Sequence, residues 1–193
     1  MTTLAGYQGN GWCVIGCDSR ASSEAGDYMD LATPKVVENE EYLIAVAGAS
    51  RGGNLLQFGW KPPVPPTKND LTALDRFMTM QFVPKMRELF IKAGFDAKGD
   101  GEYAVTESVF LVAVNGVIYS IAEDYSWDRD TRGIYHQGSG GSMAAAVMSA
   151  LEIKKSKTPA QATKIIKTAV RAATEWDIYS APPIYTKVQV FNG

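Results

Sequence analysis

The chain has little of what a metal-, thiol- or nucleic-acid-based function would need. Among 193 residues there are two cysteines and one histidine. Cys13 and Cys17 fall in a segment that reads as a strand, which puts them on one face about 13 Å apart. That is too far for a bridge within the strand, so both read as small core residues of a reducing compartment. A His-based triad would rest on His136 alone, and no cysteine–histidine spacing suggests zinc. No metal or cofactor is therefore expected. Basic charge is not in excess either: 19 Lys and Arg stand against 21 Asp and Glu, a net charge of −2. That balance argues against a nucleic-acid partner. No apolar run reaches the roughly 18 residues of a membrane span. The opening Met1-Thr2-Thr3-Leu4-Ala5-Gly6-Tyr7-Gln8 lacks the basic lead and apolar centre of a signal peptide. The expectation is a cytoplasmic protein that meets neither nucleic acid nor membrane.

What remains is ordinary globular material, 46% apolar and 21% charged, at a length that suits one domain over 1–193. Strands 3–7 and 12–16 flank Gly9-Asn10-Gly11, a hairpin signal, and Asp18-Ser19-Arg20 ends the second strand in turn residues. Val36-Val37 and 42–46 read as a further strand pair. A helical region follows Gly48, and the proline-rich 61–67 must be an extended loop. Leu71, Leu74, Met78, Phe82, Met86, Leu89 and Ala93 recur at helical spacing, with Pro84 kinking the helix or starting a second one. Strands 109–114 and 117–121 meet at Asn115-Gly116, which favours a type I′ turn. Gly138-Ser139-Gly140-Gly141-Ser142 leads into a helix over 143–151. Thr158, Pro159 and Gln161 announce the last helix with a capping box, one face of which carries Ala162, Ile166, Ala169, Ala173 and Trp176. In the closing strand Val188 and Val190 alternate with Lys187 and Gln189. Blocks of strands and blocks of helices, without βαβ alternation, predict an α+β fold, with two sheets sandwiched between helix pairs.

Six short motifs in order carry a resemblance. They are Thr2-Thr3, Gly16-Cys17-Asp18-Ser19-Arg20-Ala21, Lys35-Val36, Ala47-Gly48-Ala49, Gly138-Ser139-Gly140-Gly141 and Asp177-Ile178-Tyr179-Ser180. Over residues 2–60 and 134–190 the chain resembles proteasome β subunits and the HslV peptidase, N-terminal-nucleophile hydrolases; bacteria and phages encode proteins of this kind. The stretch around Ser139 looks most like HslV, and 61–107 matches least. The resemblance implies a four-layer αββα sandwich and a threonine peptidase acting on polypeptides. It also implies a homo-oligomeric ring and an ATP-dependent unfoldase as partner.

The chemistry has a physical logic. A hydroxyl is a poor nucleophile at neutral pH and needs a base within reach. If Met1 is removed, the α-amine of Thr2, which titrates near pH 8 in model compounds, can serve as that base. A buried Lys35 beside Thr2 would favour the alkoxide, and Asp18 would keep that lysine charged. Gly48 fits an oxyanion donor, because a backbone N–H at a glycine lets the substrate come close. The interval from Lys35 to Gly48 is one residue shorter than in proteasome β subunits. A tightened turn near Asn39-Glu40 would absorb the difference; otherwise the N–H belongs to Ala49. By resemblance, Ser139 bonds the terminal amine, and Asp177 and Ser180 hold Thr2 in register. Arg20 orders nearby loops, and Ala21, Val46 and Ser50 line a pocket for an apolar side chain before the cut.

Taken singly, each of these residues has a plainer use. Thr2 is a common second residue, Lys35 a strand-entry lysine, and Asp18, Asp177 and Ser180 cap or turn the chain. Gly48 suits a strand-to-helix turn, and the Gly138–Ser142 nest lacks the lysine of a phosphate loop. Two other functions fit the same sequence: a proteasome-like subunit that assembles without cleaving, and an amidase of small molecules on this fold.

Overall fold

The computed structural model of the protein describes residues 1–23, 25–67, 70–98 and 104–191. Along the chain, β1 (Leu4–Gln8) and β2 (Trp12–Cys17) form the first hairpin, and β3 (Arg20–Ser22) pairs with β4 (Tyr28–Asp30). A second pair, β5 (Val36–Asn39) and β6 (Tyr42–Gly48), leads into helix α1 (Ser50–Phe58). Helices α2 (Leu71–Phe77) and α3 (Val83–Lys92) follow, then the short β7 (Ala97–Lys98) and β8 (Ala104–Val105). Strands β9 (Ser108–Val114), β10 (Val117–Ile121), β11 (Trp127–Asp128) and β12 (Ile134–Gln137) precede α4 (Gly141–Ala150), α5 (Pro159–Thr174) and β13 (Tyr185–Val190).

Two antiparallel sheets form the centre, one ordered β12-β1-β2-β13 and the other β11-β10-β9-β6-β5. Period-2 alternation sends Leu4, Cys13, Ile15 and Cys17 of the first sheet against Leu43, Ala45, Leu111 and Ala113 of the second. The opposite face of the first sheet, with Ala5 and Val14, packs on Ala144 and Met148 of α4 and on Ala162, Ile166 and Ala169 of α5. The outer face of the second sheet, with Ile44, Phe110, Val112 and Tyr119, is covered by Leu56 of α1, Leu74 of α2 and Met86 and Phe90 of α3. The order helix, sheet, sheet, helix is the expected α+β sandwich.

Several local expectations hold in detail. Asn115 and Gly116 take φ of 53° and 75°, the left-handed pair of a type I′ turn. Thr158 caps α5 by accepting from the Gln161 N–H. Others need correction. The Gln161 carboxamide accepts from the Lys157 N–H, one residue before the capping-box partner. Pro84, by contrast, starts a second helix as expected: it lies in the first turn of α3, and the turn before it, Met78–Phe82, widens to a π-helix that closes with Val83 N–H on Met78 O. Of the predicted stripe, Leu71 is exposed, lying in the first turn. Trp176 lies beyond the end of α5 and is 79% exposed. Val188 and Val190 are also exposed, because β13 is an edge strand whose helix-facing side extends past the helical cover. Gln189, on the opposite side of that strand, reaches inward to Gly116 N–H and Ala113 O.

The inter-sheet core makes a prediction. Burial pushes the Cys13 thiol up to about 12 and the Cys17 thiol up to about 11. A thiol whose folded pKa lies above its unfolded value of about 8.5 stabilises fully below that pH and loses the contribution as pH rises through the folded pKa. The unfolding free energy from urea titrations should therefore fall from about pH 8.5 to 10, by up to about 1.4 kcal/mol per pH unit per thiol, before the buried tyrosines, raised in the same way, begin to add to the loss. Lys35, whose ammonium burial pushes down, gains stability in the same range and offsets part of the loss. Cys13→Ala with Cys17→Ala should flatten the slope, and neither thiol of the native protein should react with a thiol reagent at pH 8.

Candidate active site

The site lies where the start of the chain crosses the mouth between the two sheets. Asp18 follows the last residue of β2, and its carboxylate is fully buried. Such burial demands donors, and four are present. Oδ1 accepts from Thr3 N–H at 2.9 Å and from Lys35 Nζ at 2.7 Å. Oδ2 accepts from Arg20 N–H at 2.9 Å and Ala181 N–H at 3.2 Å. One carboxylate thus ties together the N-terminal segment, the entry to β3, the entry to β5 and the segment before β13.

Lys35 enters from the residue before β5, its side chain 5% exposed. Its Nζ donates to Asp18 and, at 3.0 Å, to Thr2 Oγ1. Burial pushes the ammonium pKa down, and Asp18 opposes that shift. The outcome is a Lys35 Nζ held against the Thr2 oxygen, with its other partner fixed. Thr2 is itself 4% exposed, and its hydroxyl donates to the Met1 carbonyl at 2.6 Å.

A second network grips the main chain from the other side. Thr2 N–H donates to Ser139 Oγ at 3.3 Å, and the Thr2 carbonyl accepts from Gly140 N–H. Ser139 and Ser180 both donate to Asp177 Oδ2, at 2.8 and 2.6 Å. A hydroxyl has one proton to give, so the 2.8 Å contact between Ser180 and Thr3 Oγ1 runs from Thr3 to Ser180. The polarity is then fixed throughout: Thr3 to Ser180 to Asp177, and Thr2 N–H to Ser139 to Asp177. Gly138, at φ +83°, lies under this crossing, and a Cβ there would meet the Thr2 carbonyl oxygen at 2.1 Å. Thr3 is a member of the site that sequence reasoning left out. Its signal was the Thr-Thr pair, since adjacent extended residues project to opposite sides.

Gly48 closes β6 at φ +105°, and an added Cβ would lie 2.3 Å from Glu107 O. The alternative donor is disposed of by geometry: Ala49 N–H donates to Glu107 O at 2.9 Å. Alternation along an antiparallel ladder then aims the Gly48 N–H away from β9, to the side where Val46 N–H meets the Lys35 carbonyl. Asn39 pairs with Tyr42, leaving Glu40 and Glu41 as a two-residue connection with Glu40 at φ 51°. Arg20 acts on the neighbouring segment, through stacking and charge. Its backbone serves Asp18, while its guanidinium stacks 4.0 Å over Tyr28 and lies 3.6 Å from Asp30, bracing the β3–β4 hairpin.

Thr2 lies between two cavities. One of about 370 Å³ is lined by Lys35 and by the predicted Ala21, Val46 and Ser50, together with Met29 and Phe58. The other, of about 330 Å³, is lined by Ser139, Gly138, Val109 and Glu123. Thr2, Ser22 and Gly48 border both. Among the described residues no three His, Cys, Asp or Glu side chains converge as a metal site would, and no helix is long and apolar enough to cross a membrane.

The sequence matches no family model and no curated protein. Solved structures do match. BPH of Thiobacillus denitrificans in complex with epoxomicin superposes at a TM-score of 0.74, with 17% identity over 100% of both chains. A second structure of that BPH gives 0.74 and 18%, over 99% of each chain. A eukaryotic HslV from Trypanosoma brucei gives 0.65 and 18%, over 98% of this chain and 99% of the other. The chain has the fold of these proteasome-like peptidases from end to end; at such identity the likeness is one of fold.

Proposed function

We propose that the chain is a threonine endopeptidase, one domain over 1–193, with Thr2 as nucleophile once Met1 is removed. The observation that carries this reading is Lys35 Nζ, hydrogen-bonded at once to Thr2 Oγ1 and to a fully buried Asp18. Thr2 Oγ bonds to the substrate carbonyl carbon while its proton passes to the Thr2 amine. The carbonyl oxygen becomes an oxyanion facing the Gly48 N–H. The carbon–nitrogen bond then breaks, and the leaving nitrogen takes the proton from the Thr2 ammonium, leaving an ester on Oγ. Water, deprotonated by the amine, then adds to the ester carbon; the bond from that carbon to Oγ breaks, Oγ takes the proton back from the ammonium, and the acid leaves. Ser139, backed by Asp177, holds the amine in place, and none of these steps calls on a metal or cofactor. The walls contributed by Ala21, Val46, Met29 and Phe58 favour an apolar side chain before the cut.

An isolated site of this kind would degrade polypeptides indiscriminately, so enclosure in a homo-oligomeric ring, fed by an ATP-dependent unfoldase in the cytoplasm, accompanies the reading. The exposed apolar residues Trp176, Ile178, Val188 and Val190 supply surface for such contacts. One contact favours the alternative of a subunit that assembles without cleaving. With Met1 in place the Thr2 nitrogen is an amide, and the hydroxyl is engaged by the Met1 carbonyl.

Intact mass after incubation with epoxomicin separates the two. An epoxyketone closes a ring with a hydroxyl and an amine on the same residue. Loss of Met1 together with one adduct is the expected result, and a retained Met1 without adduct would favour the assembly subunit.

A further inference from the structure

The two cavities beside Thr2 are chemically unlike, and the proton path assigns each a side of the substrate. In the proposed reaction the leaving nitrogen takes its proton from the Thr2 amine. That nitrogen must therefore lie on the side of Thr2 where its N atom points, toward Ser139 Oγ at 3.3 Å. Ser139 lines the smaller cavity and not the larger, whereas Lys35 lines the larger and not the smaller. The acyl part of the substrate accordingly occupies the Lys35 side, and the segment released first occupies the Ser139 side.

The charges differ as well. On the acyl side the ionisable side chain is Lys35, already matched by Asp18 at 2.7 Å. On the leaving side it is Glu123, between β10 and β11. Glu123 is exposed. Its backbone carbonyl accepts from Thr106 N–H, which anchors the residue at the cavity edge. Among the described residues no ion pair involves its carboxylate. A carboxylate without a cation at the rim of a substrate cleft attracts positive charge and repels negative.

We propose that Glu123 sets specificity on the leaving side, so that the enzyme favours substrates with lysine or arginine directly after the cut and rejects aspartate or glutamate there. This inference rests on the peptidase reading and adds the substrate class of the second cavity. The interaction is exposed to solvent, so its size is modest. Attraction for one charge and repulsion of the other together correspond to about a three- to tenfold preference at low ionic strength, shrinking as salt rises.

The test uses the full chain after Met1 removal and two kinds of substrate. A peptide amide of aminocoumarin with an apolar residue before the cut reports hydrolysis itself, since its leaving group carries no side chain. Quenched peptides identical except for Lys, Ala or Glu after the cut then report the preference as ratios of kcat/KM. The expected result is Lys above Ala above Glu in the wild type, near-equality in Glu123→Gln and inversion in Glu123→Lys. Ratios taken within one variant are insensitive to a general loss of folded protein. Cleavage of the aminocoumarin amide with no preference among the peptides would overturn the role of Glu123 and leave the peptidase reading standing. A lysine preference that persists in Glu123→Gln would overturn it too. Cleavage of no substrate at all would overturn the peptidase reading and this inference with it.

Discussion

Thr2→Ala is expected to leave a folded protein that cleaves no peptide. The substitution removes two atoms, Oγ1 and a methyl group. Oγ1 takes part in two hydrogen bonds, one from Lys35 and one to the Met1 carbonyl. Lys35 keeps its 2.7 Å contact with Asp18, and Asp18 keeps its three backbone donors. No buried charge is left alone, so the stability cost should be about 1 kcal/mol, that of an ordinary hydrogen bond. The cost in rate is of another order. Without Oγ no acyl-enzyme can form, and removal of a nucleophile lowers kcat by several orders of magnitude, about a millionfold in the best-studied serine hydrolase. Activity on an aminocoumarin peptide and the thermal midpoint, taken on one preparation, check both halves. Thr2→Ser keeps the hydroxyl and the amine and should retain measurable turnover. Full activity in Thr2→Ala would place the nucleophile elsewhere.

The residues of this site were legible in the sequence to the degree that each is fixed by a local pattern. Asp18 follows directly on a strand of apolar residues, Lys35 directly precedes one, and Gly48 ends a third. The registers of those strands therefore determine where the three groups emerge. Alternation also named the sheet faces, and the Asn115-Gly116 turn named its own geometry. What could not be read depends on contacts between distant segments. That Thr3 and not Thr2 bonds to Ser180 follows from how the 139 and 180 segments meet at Asp177 beside the terminal strand, a contact between distant segments that no spacing encodes. The exposure of Val188 and Val190 is a matter of where α5 stops covering the sheet. Arg20 was assigned to the right neighbourhood, but the tyrosine and aspartate that receive it lie across a hairpin whose return strand carries no alternation. Glu123 belongs to none of the recognised motifs. It comes to the cleft because the β10–β11 turn ends beside the Gly138 segment.

Lys35→Met should separate the electrostatic part of the site from its packing. Methionine has nearly the length of the lysine stem and fills the same volume, so the cleft wall changes little. Asp18 loses one donor of four, and three backbone N–H groups still hold it. Removing one partner of a buried ion pair ordinarily costs about 3–5 kcal/mol. With the remaining donors in place the loss here should fall toward the lower end, observable as a lowered urea midpoint. The loss of rate should be of similar size in free energy. On the proposed reading the ammonium 3.0 Å from Thr2 Oγ1 favours an alkoxide there, and a single preorganised donor of this kind contributes about a hundred- to thousandfold. The pH profile supplies the sharper reading. In the wild type the rising limb should follow release of the proton from the Thr2 amine. The falling limb should follow loss of the Lys35 proton. Burial pushes that ammonium down, so activity should decline below the pH of about 10.5 at which an ordinary lysine titrates. In Lys35→Met the residual activity should keep the rising limb and lose the falling one. A falling limb that survives the substitution would belong to another group, and Lys35 would then act through packing alone.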